Sequence, residues 1–298
     1  MAPPEPTAPV AISACTPPAR ALPPGAWDCH SHVFGMPEAY PLLSPRRYDP
    51  PFAPGEGYLA MLDTVGFEHG VIVHPSAYGY DNSCTADAIA LATHRLSGVA
   101  VVDPAISDAQ LEALDAAGFR SIRFTVTPRA RAHEGSLDFA DLDRLAPRMR
   151  ALGWYADIWA TCDEIAAAGD RLAGHGLPVM IDHMGYFDVA RGIDDPLFRS
   201  YLALLRDGNF WIKTTPIRLV RGDPTADSIR PFHDLLLETL PDRAVFGSDW
   251  PYLSMDHARP DTGRLVDLFD AWTPDDALRQ RIFVDNPDRF FARRLEQA

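Results

Sequence analysis

Lysine is nearly absent. The chain has 298 residues and 27 basic ones, yet its only lysine is Lys213. Any cationic site is therefore expected to rest on arginine or histidine. The net charge is −14. That excess of acid argues against nucleic acid as a partner, because phosphate binding needs basic patches. Cysteine is scarce and scattered, at Cys15, Cys29, Cys84 and Cys162, with no Cys-x-x-Cys spacing. The pattern predicts free thiols in a reducing compartment, and hence a cytoplasmic protein. No apolar run reaches the length of a membrane span, so no membrane partner is expected. The first 25 residues lack the basic start and apolar core of a signal peptide. They are rich in Pro and Ala and are expected to form an arm, residues 1–25, ahead of one domain, residues 26–298.

That domain has an ordinary globular composition, 47% hydrophobic and 23% charged. Eight short apolar stretches recur along it. They begin near Trp27, Gly70, Gly98, Phe119, Trp154, Pro178, Phe210 and Arg243. Helical patterns separate them, including Gly57 to Gly66, Asp81 to Leu96, Ser107 to Ala117 and Asp163 to Ala173. Strands that read as near-continuously apolar are buried on both faces, as in a parallel sheet. Eight such units predict a single-domain α/β fold, a (β/α)8 TIM barrel. A doubly wound open sheet is the alternative, but its first turn would carry glycines for phosphate. Here that turn carries histidines.

The stretch Trp27-Asp-Cys-His-Ser-His-Val-Phe-Gly35 reads as a strand ending in His30 and His32. Alternation puts both imidazoles on one face. A barrel places its site at the carboxyl ends of its strands. The polar residues there are His30 and His32, then His74 and Ser76, Arg123 with Arg129 in the next loop, and Asp157 with Trp159. The later strands add Asp182 and His183, Lys213 with Arg218 beyond it, and Ser248 with Asp249. Each also has a bland reading: Asp182 faces away from the axis if His183 faces in, Lys213 pairs with an acid between barrel and helices, and Trp159 simply fills the barrel. Three imidazoles and Asp249 converge on one mouth in such a fold. An aspartate there can take a proton from water, while histidines hold a metal or polarise a carbonyl.

His30-Ser-His32, His183 within Ile181-Asp-His-Met-Gly185, and Asp249 within Gly247-Ser-Asp-Trp-Pro251 resemble the amidohydrolase superfamily. Within it the chain is similar to the 2-pyrone-4,6-dicarboxylate lactonase branch, from about Trp27 to Phe291. Further marks are Ile72 through Asn82, Val101-Val-Asp-Pro104, Ile122-Arg-Phe124 and Asn286-Pro287. The resemblance implies a hydrolase that opens a small anionic lactone in aromatic catabolism, with Asp249 as general base and His30, His32 and His183 around the carbonyl. It also implies that Arg123, Arg129 and Arg218 bind the substrate's acid groups, with Tyr48 and Ser76 nearby. The family's fifth-strand tyrosine aligns with Trp159, and Tyr155 is close by. An arginine of the family is here Tyr186, and a histidine is Tyr252. A related lactone, such as a sulfonated or plain muconolactone, is therefore an expected substrate too.

Binuclear members carry a bridging lysine on strand 4 and a histidine on strand 5. Arg123 and the missing histidine argue against two metals. No cofactor is the favoured expectation; a single Zn²⁺ or Mn²⁺ on His30, His32, His183 and Asp249 is the alternative. Two other functions stand beside lactone opening. One is a metal-dependent decarboxylase of an aromatic or unsaturated acid, and the other is a barrel that merely binds an organic acid. A monomer or small homo-oligomer is expected.

Overall fold

The computed structural model describes residues 15–46, 48–126, 135–215, 218–219, 227–253, 255 and 259–292. Eight strands lie side by side in chain order, each parallel to its sequence neighbour. They are β1 (Trp27–Ser31), β2 (His69–Val73), β3 (Leu96–Ala100), β4 (Phe119–Thr125), β5 (Tyr155–Trp159), β6 (Val179–Ile181), β7 (Phe210–Thr214) and β8 (Ala244–Phe246). Nearly every strand residue is buried. This is the expected TIM barrel. Helices α1 (Gly55–Val65), α2 (Ser83–Ala90), α3 (Asp108–Ala116) and α4 (Phe139–Ala151) follow the first four strands. After them come α5 (Cys162–Ala167), α6 (Gly169–Gly174), α7 (Pro196–Asp207), α8 (Arg230–Thr239), α9 (Thr262–Trp272) and α10 (Asp276–Gln280).

Local chemistry sets the boundaries. Ser107 caps α3, and Gln110 returns the bond to complete a capping box. The helix expected from Asp81 to Leu96 stops at Ala90, because Leu96 already belongs to β3. The one expected from Asp163 to Ala173 is two pieces, broken at Ala168. Asn82 locks the end of β3: its Nδ2 donates to the Val101 carbonyl at 2.8 Å and its Oδ1 accepts from the Val101 amide. Asn286 ties down the start of β8, its Nδ2 donating to the Pro241 and Ala244 carbonyls at 3.0 and 2.8 Å.

The barrel is plugged from below. Trp27, Cys29, Tyr155, Met180 and Trp211 pack with Phe290 and Phe291 in one buried cluster. Side chains on a strand share a face every second residue. Climbing β5 from Tyr155 therefore gives Asp157 and Trp159, β6 from Met180 gives Asp182, and β7 from Trp211 gives Lys213. The barrel closes at its carboxyl end. There the Asp249 amide donates to the His30 carbonyl, and the His32 amide to the Trp250 carbonyl, both at 2.8 Å.

Of the arm, residues 1–14 lie outside the described part. Residues 15–25 have no regular structure and run along α9. Thr16 bonds Asp261, Ala19 bonds Asp267, and Gly25 ends on Glu68 just before β2.

Candidate active site

His30 and His32 share the mouth side, and they reach it because the register of β1 slips between Asp28 and Ser31, since Trp27 and Cys29 already line the floor. His32 turns its Nδ1 to the Val73 carbonyl at 2.7 Å. Its Nε2 then lies 3.3 Å from His30 Nε2 and 3.5 Å from Asp249 Oδ1. His30 Nε2 is 3.7 Å from the same oxygen. The His183 ring sits 4.7 Å from that of His30, centre to centre. The residues expected to meet, numbers 30, 32, 183 and 249, do meet, and all four are buried.

Two of them depend on backbone that few side chains adopt. His183 has φ 51° and Asp249 has φ 64°. A non-glycine residue in the left-handed region is strained and is concentrated at functional sites. After β6 the left-handed run continues through Met184 and Gly185 to Tyr186. It ends strand alternation at Asp182. Asp182 therefore faces in as well as His183, which corrects the expectation that it points away.

Asp182 and its neighbours form a buried ionic layer beneath the histidines. Lys213 Nζ is 2.5 Å from Asp157 Oδ2, 2.9 Å from Asp182 Oδ1 and 3.1 Å from His30 Nδ1. Arg123 donates to Asp182 Oδ2 at 2.6 Å and lies 5.2 Å over the Trp159 ring. Lys213 is thus inside the barrel, not between barrel and helices. The expectation that any cationic site would do without lysine is also overturned. Asp157, Asp182 and Lys213 were legible as strand-end polar residues, but not as one group. The available signal was their two-residue step from Tyr155, Met180 and Trp211.

Arg218, beyond β7, lies against Asp249 as an ion pair without the alignment of a hydrogen bond, and donates to the Leu253 carbonyl at 2.7 Å. Burial works against the Asp249 carboxylate, but Arg218 and the histidines outweigh it and hold its pKa below the usual range. Burial pushes His183 down to about 3, so it is a neutral imidazole. Its Nδ1 has no hydrogen-bond partner among the described residues.

The remaining expected residues scatter. Tyr155 sits on the barrel floor against Phe290, 4.9 Å between rings, so its expected substrate contact is corrected. Trp159 is at the mouth, edge-on to His183 at 6.3 Å and to Tyr186 at 6.4 Å. Tyr48 packs edge-on against Phe34, and Ser76 opens a short turn after β2. Tyr252 is buried with its hydroxyl on Thr262, away from the histidines. Arg129 lies outside the described residues.

One ligand atom each from His30, His183 and Asp249 falls within 4.8 Å of the others. Two imidazoles and a carboxylate are the donor set of a single catalytic zinc or manganese. The unbonded His183 Nδ1 and Asp249 oxygens fit that reading. In spacing and donor type the cluster accepts one divalent metal.

A closed eight-stranded barrel with a histidine pair after β1, a third histidine after β6 and an aspartate after β8 defines a class, the amidohydrolase-type barrel enzymes. The chain belongs to the Amidohydro_2 amidohydrolase family, whose model matches residues 27–293. It is 37% identical over 274 residues to the 4-sulfomuconolactone hydrolase of Rhizobium radiobacter, covering 91% of each chain. It is 34% identical over 283 residues to the 2-pyrone-4,6-dicarboxylate hydrolase of Comamonas testosteroni, again 91% of each. A Pseudomonas putida structure described as a 2-pyrone-4,6-dicarboxylic acid hydrolase superposes with a TM-score of 0.79 at 30% identity, over 91% of this chain and 98% of the other.

Proposed function

We propose that this enzyme hydrolyses a small anionic lactone, 2-pyrone-4,6-dicarboxylate or a sulfonated or plain muconolactone. The observation that carries the reading is the single pocket of Asp249, three neutral-capable imidazoles and Arg218. A carboxylate beside imidazoles, with a guanidinium at its flank, suits water attack on a carbonyl next to an acid group. The two relatives named above act on lactones that carry sulfonate or carboxylate.

Asp249 takes a proton from water as its oxygen attacks the lactone carbonyl. The imidazoles of His30 and His183 donate hydrogen bonds to the oxygen that gains charge. The ring C–O bond then breaks, and Asp249 returns the proton to the leaving oxygen. In the substrate-free site Arg218 is held by Asp249. An entering carboxylate or sulfonate competes for that guanidinium and leaves the base free to act. A divalent metal held by His30, His183 and Asp249 would act as a Lewis acid on the carbonyl. Asp157, Asp182, Lys213 and Arg123 keep the floor of the pocket charged, rigid and dry.

No observation favours decarboxylation or mere binding over hydrolysis. Among the described residues no helix is long and apolar enough to cross a membrane. The four free cysteines support a reducing, cytoplasmic setting. The test is Asp249→Asn, assayed by the ultraviolet change of lactone opening. It should lower kcat by about a hundredfold or more, the scale of a positioned base. Full turnover by the variant ends the assignment.

A further inference from the structure

Lys213 has no role in the steps above, yet it touches His30. We infer that Lys213 is a positioning residue that fixes His30 with its hydrogen on Nε2, so that the ring is a donor into the pocket and a poor metal ligand.

The argument runs from both ends of the imidazole. At the inner end, an ammonium has three N–H donors and no acceptor. The buried Lys213 has three partners at bonding distance: Asp157 Oδ2, Asp182 Oδ1 and His30 Nδ1, at 2.5, 2.9 and 3.1 Å. Its third hydrogen needs a lone pair on Nδ1. Asp182 Oδ1 also lies 3.1 Å from Nδ1, so the opposite tautomer has an acceptor available. That tautomer would turn an N–H against the ammonium and orphan a buried charged donor. Leaving such a donor unmet costs more than denying a carboxylate one extra bond. Asp182 keeps its bonds from Lys213 and Arg123 either way.

At the outer end, His32 Nδ1 faces the Val73 carbonyl, which can only accept. The hydrogen of His32 is therefore on Nδ1, and its Nε2 carries a lone pair. His30 Nε2 is 3.3 Å from that lone pair. A hydrogen on His30 Nε2 makes the contact a bond; its absence makes it a repulsion. A ring that accepts from the Lys213 ammonium at Nδ1 cannot carry a hydrogen on both nitrogens, so it has one to place. Both ends place it on Nε2. The relay is Lys213 to His30, His30 to His32, and His32 to Val73.

A metal on His30 needs the lone pair on Nε2 instead. Loading one would drive the hydrogen to Nδ1, against Lys213. The donor set that accepts a metal in spacing is thus opposed from below. This rests on the lactone hydrolase reading only for what the Nε2–H does once substrate is bound, namely share itself between His32 Nε2 and the substrate carbonyl.

The test is the histidine ¹⁵N spectrum of the metal-free protein, with His30→Gln identifying the signal. The expected result is a hydrogen on Nε2. In Asp157→Asn it should stay there. In the charge-balanced Lys213→Met/Asp157→Asn it should move to Nδ1, and Zn²⁺ titrated alone should bind about tenfold or more tighter, the scale seen when an outer partner of a ligating histidine changes. A wild-type hydrogen on Nδ1 overturns the inference, as does a double variant with unchanged tautomer and zinc affinity. The wild-type spectrum decides even if the double variant fails to fold. It needs no substrate, so a protein inert to every lactone would defeat the proposed activity and leave this assignment standing.

Discussion

Arg218 and Asp249 hold each other before any substrate arrives. On the proposed reading that makes the arginine both a grip for an acid group and a restraint on the proposed base. Arg123 looks equivalent in the sequence, but it is braced by Asp182 and stacked on Trp159. Its guanidinium is committed to the buried layer, and breaking such a pair leaves a bare charge inside. The cleaner test of substrate binding is therefore Arg218→Ala. Its KM for an anionic lactone should rise about ten- to a hundredfold, the worth of a charge-assisted bond. Steady-state rates with a neutral lactone should not fall. Equal loss on both substrates would mean that Arg218 serves Asp249 alone. Nothing in the residue pattern separated the two arginines, because what distinguishes them is their partners on other strands.

Strand ends position these groups, and alternation explains only part of the result. His30 with His32 was legible as a pair two residues apart, but a register slip between Asp28 and Ser31 is what turns both rings inward above Trp27 and Cys29. Asp182 with His183 was misread because β6 stops at Ile181 and the chain turns left-handed at once. Between β8 and Asp249 stands Gly247, where a methyl group would come within 2.8 Å of His30 Cβ and 3.0 Å of Thr215 Oγ1. That close approach is why a side chain is missing there. Gly247→Ala should push the His30 ring aside and cut kcat by about ten- to a hundredfold, since small displacements of reacting groups are costly. Thermal unfolding and kinetics measured together will check it: a large drop in Tm with normal specific activity would refute this.

For the molecule as a whole, the barrel was readable because burial on both faces writes each strand as an apolar run. The ionic layer was not, because the two-residue step on each strand shows which residues face in but not that those on or just after β4, β5, β6 and β7 meet as one group. Acid should expose another global property. Burial pushes His74 down to about 4, and its ring pins the turn after β2 through the Gly79 carbonyl at 3.1 Å. The unfolded chain protonates that histidine near pH 6.5. Between about pH 6.5 and 4 the unfolded state binds more protons, so stability falls as pH drops. This one residue accounts for up to about 3 kcal/mol of that fall. Urea midpoints of the wild type and His74→Gln, well apart at pH 7, should converge toward pH 4.5. A gap that stays constant would refute the assignment.

The barrel is sealed by bonds from Asp249 and His32 to the opposite strand, so the last strand to be synthesised supplies both the closure and the base. A nascent chain that has released seven strands from the ribosome owns the imidazole pair, the third imidazole, the lysine and its two partner aspartates, but it lacks Asp249. On the proposed mechanism hydrolysis waits until the chain has passed Asp249, and a product truncated before that residue lacks its base.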